Sequence, residues 1–122
     1  MKSALIWIMA VSPLLAMASD APVRIREGQS FVAARKVLLK DRWRPIPMHT
    51  EGGYQYEGVE KHLIKRGFNE VDSCSIDSSR CILFYKRAGR CLRVDTIGEQ
   101  VAIMKVVQWS DECPDAPPRK AE

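Results

Sequence analysis

From residue 28 the chain reads GQSFVAARKVLLKDRW, and Phe31, Ala34, Val37 and Leu38 recur at helical spacing. Ser30 stands where a hydroxyl can accept from a free amide of the first turn. Arg35, Lys36 and Lys40 fall where side chains can face water. The pattern predicts a helix over about 31–40. The prolines of WRPIPM, residues 43–48, then stop the helix and favour extended backbone. HTEGGYQYE, residues 49–57, carries a double glycine and reads as a mobile loop. GVEKHLIKRGF predicts a second helix over about 59–66, with Val59, Leu63 and His62 on its inner face. Lys65 and Arg66 lie in its last turn, where cations suit the helix dipole, and Gly67 stands as the stop.

After Gly67 the period changes to two. FNEVDSC, RCILFYK, CLRVDTIG and VAIMKVVQW read as four strands, with Leu92, Val94 and Thr96 on one face of the third. The gaps between them are short, so successive strands form antiparallel hairpins, one of them turning at RAGR. The fold this predicts is α+β, with two N-terminal helices packed on one face of a four-stranded antiparallel sheet.

The first residues change the picture. Lys2 precedes an apolar run over 4–15, and Ala16-Met17-Ala18 places small residues where a signal peptidase reads them. The run is shorter than the roughly 20 residues of a spanning helix, and Ser12-Pro13 interrupts it. Residues 1–18 therefore read as a cleaved signal peptide, 19–113 as one domain and 114–122 as a flexible tail. No further segment is apolar enough to span a bilayer, and the expected location is periplasmic or secreted. Without residues 1–18, Lys+Arg falls from 19 to 18 against 15 Asp+Glu, a balance of +3. That is too mild to argue for nucleic acid.

Cys74, Cys81, Cys91 and Cys113 all follow the leader. An even number in an exported chain reads as two disulfides. There is no Cys-x-x-Cys, and His49 and His62 lie far upstream, so neither a zinc site nor a thioredoxin-like pair is implied. In the hairpin scheme Cys74 and Cys81 meet at one hairpin mouth, whereas Cys81 and Cys91 fall out of register. This favours Cys74–Cys81 with Cys91–Cys113.

No catalytic constellation stands out. The serines lack a nucleophile-elbow setting, Gly52-Gly53 lacks the context of a phosphate loop, and no cofactor is implied. The chemistry that remains is adhesive. Arg42 and Arg44 bracket Trp43, Lys61, Lys65 and Arg66 line the second helix, and Lys86, Arg87 and Arg90 surround a turn. Tyr54 and Tyr56 sit in the Gly-Gly loop, where aromatic side chains offer large contact area at low entropic cost. The candidate binding surface is Tyr54, Tyr56, Arg42, Trp43, Arg44, Lys65 and Arg66.

GQSFVAARKVLL with Trp43 and Pro45, then GFNEVDSC, CILFY and CLRVDTIGE, carry a resemblance over about residues 28–109. The order of elements resembles small exported bacterial α+β proteins: the repeat unit of the β-lactamase inhibitor proteins and the small outer-membrane assembly lipoproteins. The chain departs from the lipoproteins in lacking a lipid-attachment cysteine, and from the inhibitors in carrying one unit. No functional residue of either family falls on a matched position. The resemblance implies a binding protein. The expectation is a non-catalytic partner of another envelope or secreted protein, of inhibitor or immunity type. The alternatives are an envelope accessory protein that binds cell-wall or lipid anions, and a small hydrolase with an unrecognised site, which turnover lost with His49 or Glu51 would favour.

Overall fold

The computed structural model describes residues 3–10 and 21–115. The Ala16-Met17-Ala18 cleavage signal and residues 116–122 of the expected tail lie outside them. Residues 3–10 have no secondary structure, and Leu5, Ile6, Trp7, Ile8 and Met9 are each at least 82 % exposed.

Helix α1 is Phe31–Lys40, and the Ser30 side chain accepts from the Ala33 amide as its cap. Strand β1 is Arg44–Pro45 and helix α2 is Val59–Lys65. Strands β2 Val71–Cys74, β3 Arg80–Arg87, β4 Arg90–Ile97 and β5 Lys105–Ser110 follow, with a short 3-10 helix at Val101–Ile103 before β5. All pairings are antiparallel. The architecture is α+β, but the expected arrangement of two leading helices and four strands is corrected. There are five strands, and β1 falls between the helices, so the helices do not both precede the sheet. β1 and β2 pair with successive parts of the same side of β3, and β4 and β5 continue the sheet on its other side. The last strand is also corrected. Val101–Ile103 belongs to the 3-10 helix, and pairing begins only at Lys105.

Both helices end in the same way. After α2, Gly67 takes φ 78°, its amide reaches the Ile64 carbonyl, and the Phe68 amide reaches the Leu63 carbonyl. After α1, Arg42 takes φ 69°, its amide reaches the Leu39 carbonyl, and the Trp43 amide reaches the Leu38 carbonyl. This cap turns the following residue back onto the last helical turn, so an apolar side chain there is buried. Trp43 is accordingly 1 % exposed, and its placement on the binding surface is corrected: it belongs to the core. The Arg87 guanidinium lies 4.4 Å from its ring centroid. Arg87 is itself buried, and donates to the carbonyls of Asp41 and Ala21.

One core joins the helices to the sheet. Phe31, Ala34 and Leu38 of α1 and Leu63 of α2 pack with Leu83, Tyr85, Leu92, Val94 and Val106. The residues of β3 with opposite parity face away, yet Phe84 is only 5 % exposed. Two side-chain expectations on the helices are corrected. His62 is exposed, while Glu60 is buried. Arg35 does not face water but pairs with Glu70, which is 0 % exposed. Glu70 accepts from Arg35 Nε at 2.6 Å and from the Tyr85 hydroxyl at 2.6 Å. Burial works against the Arg35 charge, but the bond to Glu70 outweighs it and holds the guanidinium above its ordinary value. Burial, reinforced by Glu70, pushes the Tyr85 phenol well above its usual range.

Two disulfides close, Cys74–Cys81 with Cα atoms 4.0 Å apart and Cys91–Cys113 at 4.8 Å. The first joins direct cross-strand partners of β2 and β3. Loop entropy ranks them, because the bridged separations are 7 and 22 residues. Replacing Cys91 and Cys113 with Ser is expected to lower unfolding free energy by about 3 kcal/mol, and replacing Cys74 and Cys81 by about 2 kcal/mol. Urea denaturation of both double variants measures the order. A larger loss at the short loop would show that local geometry, not chain entropy, sets the contribution.

Candidate functional site

The segment after β1 runs along β3 and then crosses to β2. The Ile46 amide reaches the Phe84 carbonyl, and the Met48 amide reaches the Asn69 carbonyl. His49 follows with φ 55°, a left-handed backbone that turns the chain outward. Its Nε2 lies 2.5 Å from the Asp72 carbonyl oxygen, so that nitrogen carries the proton and donates. The imidazole stacks on Tyr54 with ring centroids 3.5 Å apart, and Tyr56 meets both rings edge-on.

Glu60 fixes the far end of the loop. One of its oxygens accepts from the Cys74 amide at 2.9 Å, and the other from the Glu57 amide at 3.2 Å. The Tyr54 hydroxyl donates to the same carboxylate at 3.1 and 3.2 Å. Partial burial, and then the Glu60 carboxylate, push the Tyr54 phenol up to about 12. Tyr54 therefore stays a neutral donor at any physiological pH. The loop read as mobile is held by a stack of rings and a buried carboxylate.

Beside this loop runs a groove of about 540 Å³. Ile46, Pro47 and Met48 line it with His49 and Tyr54, and Glu51, Asp72 and Asp115 add acidic groups to the lining. Tyr54 is 40 % exposed, whereas Tyr56 turns inward and packs against the core. The two tyrosines thus divide the roles assigned to them jointly: Tyr54 presents a face to solvent, and Tyr56 supports it.

The cationic residues separate into two places. Arg42 and Arg44 are exposed, and β1 sets them beside the β3–β4 turn. Lys65 and Arg66 are exposed at the end of α2. Among the described residues no side-chain hydrogen bond or ion pair links Lys65 or Arg66 to the loop. Glu51 is exposed, and the ring nitrogen of His49 that carries the proton is engaged by Asp72. Among the described residues no group of three or more His, Cys, Asp or Glu side chains is placed to hold a metal ion. No described helix is long and apolar enough to cross a membrane.

Sequence reasoning missed Glu60 and the Ile46–Met48 lining. Glu60 did carry a signal. At about 100° per residue, Val59, Leu63 and Glu60 fall within one arc of about 100°, and His62 falls outside it. The lining carried none, because its position depends on pairing with β3. Comparison of the chain with protein-family models, curated proteins and solved structures finds no match.

Proposed function

We propose that the chain is an exported, non-catalytic binding protein, an inhibitor or immunity-type partner of another envelope protein, working in the periplasm or outside the cell. The two disulfides support an oxidising compartment. The observation that carries the reading is Tyr54: a half-exposed ring stacked on His49 and tethered to Glu60, in the lining of a groove that Ile46, Pro47 and Met48 share. A ring held in place before contact loses little entropy when a partner covers it, and interface energy concentrates on such aromatic anchors. In this reading the loop over 49–57 occludes a surface of the partner and needs no reacting group.

The test is affinity capture from the native envelope, followed by titration of the captured protein. Tyr54→Ala is expected to weaken that partner by about 2 kcal/mol, roughly thirtyfold. Tyr54→Phe keeps the stack and is expected to keep most of the affinity. Tyr56→Ala is expected to act mainly on the melting temperature, because its ring supports the core. Undiminished affinity in a folded Tyr54→Ala protein would refute this site.

A further inference from the structure

The strand missing from the sequence pattern brings together two groups of cations that lie far apart in the chain. β1 pairs Arg44 directly with Lys86, and the β3–β4 register pairs Arg87 with Arg90. Around the turn at Ala88-Gly89, Arg42, Arg44, Lys86 and Arg90 line a depression of about 280 Å³. Like charges placed directly opposite on a sheet repel each other and weaken the pairing. Arg90 is held by Asp111 at 2.9 Å. Among the described residues no carboxylate pairs with Arg42, Arg44 or Lys86.

A second, independent observation points to the same place. The left-handed position after α2 is filled by Gly67, which adopts it without strain. The equivalent position after α1 is filled by Arg42, at φ 69°. A side chain there is strained, and nothing in the cap requires arginine. So both the backbone of Arg42 and the Arg44–Lys86 pairing oppose stability, and both place positive charge around one depression.

We propose that this depression is a binding site for a phosphate-type oxyanion, either a free phosphate or the phosphate of an anionic lipid headgroup. A bound dianion reverses the repulsion between Arg44 and Lys86. Arginine presents a planar fork of donors that matches phosphate oxygens, and lysine adds a compact charge beside it. The backbone of the turn closes the site: Ala88 and Gly89 take φ 46° and 81°, the left-handed pair that a two-residue hairpin turn requires. This returns Arg90 to the end of β3 that carries Lys86 without a longer, looser connection. The site stands independently of the groove beside Tyr54.

The experiment uses the oxidised exported protein and two probes, inorganic phosphate by calorimetry and phosphatidylglycerol vesicles by co-sedimentation, each at low and high salt. Binding of at least one probe is expected, weakening as salt rises. Arg44→Gln with Lys86→Gln is expected to reduce that binding by about tenfold for each cation removed. Lys36→Gln with Lys105→Gln removes the same charge from exposed positions outside the depression, and is expected to leave binding within about twofold of the parent on the same scale. Phosphate binding without vesicle binding assigns a free phosphate, and vesicle binding without phosphate binding assigns a headgroup. The melting temperature of Arg44→Gln with Lys86→Gln at low salt is expected to equal or exceed that of the parent, since a repulsion is removed. The proposal is overturned if neither probe binds, if the control variant loses as much as the site variant, or if the site variant melts lower than the parent.

Discussion

Replacing Arg35 with Ala is expected to cost about 3–5 kcal/mol of unfolding free energy. The cause is the carboxylate left behind. Glu70 is wholly buried, and Arg35 is the cation bonded to it, through Nε and through NH2 at 3.3 Å. Without Arg35, Glu70 keeps only the Tyr85 hydroxyl at 2.6 Å, plus whatever water enters. A domain of this size has about 5–15 kcal/mol in total, so the loss removes a large share of it. The pair itself need not be strongly stabilising, because burying both charges nearly offsets their attraction. Arg35→Met with Glu70→Leu and Tyr85→Phe removes every polar partner together, and is expected to cost much less than Arg35→Ala alone. Urea denaturation of both proteins gives the comparison. If Arg35→Ala falls within about 1 kcal/mol of the parent, water reaches Glu70 and the network is not a sealed one.

Trp43→Ala is expected to cost a similar amount, about 3–5 kcal/mol. Its ring is 1 % exposed, packed in the core on one side and under Arg87 on the other. Its indole nitrogen has no hydrogen-bond partner among the described residues. Trp43→Phe therefore gives up area but no bond, and is expected to cost less than about 1.5 kcal/mol. Arg44→Ala, one residue on and exposed, is expected to stay within about 0.5 kcal/mol. Thermal melts of the three variants measure the contrast. A mild Trp43→Ala would return Trp43 to the surface and undo the account of the α1 cap.

These two residues show what the sequence could and could not disclose. The bounds of α1 were legible because Ser30 and the apolar spacing both act within a few residues. The strands over 80–97 were legible because their period is two and their turn is local. Arg35 was misplaced although its position carried a clue: at about 100° per residue it lies about 40° beyond Phe31, on the flank of the stripe formed by Phe31, Leu38 and Ala34. Charge was read as a sign of exposure, and the missing fact was Glu70, 35 residues away. Trp43 was misplaced because its signal is the cap of α1, and arginine stands where glycine would have announced it. β1 was missed because it is two residues long and contains Pro45, which is tolerated on an edge strand. Its partners Tyr85 and Lys86 are about 40 positions on, so no local pattern contains the pairing. The candidate groove depends on that pairing, which is why the sequence suggested Tyr54 but not the lining beside it.

The hold that His49 and Glu60 keep on the loop has another side. The groups they bond are the Asp72 carbonyl and the Cys74 amide, both on the backbone of β2. β2 is at the margin of the sheet, with β3 on its other side. Open backbone groups at such a margin are a template on which another chain can add a strand. Here an imidazole and a carboxylate occupy them, so the segment that carries Tyr54 also shields the sheet from self-association. Lifting the loop away would uncover a short adhesive edge. Loss of the loop's anchors would then show first as concentration-dependent clumping of folded molecules, before any loss of the core.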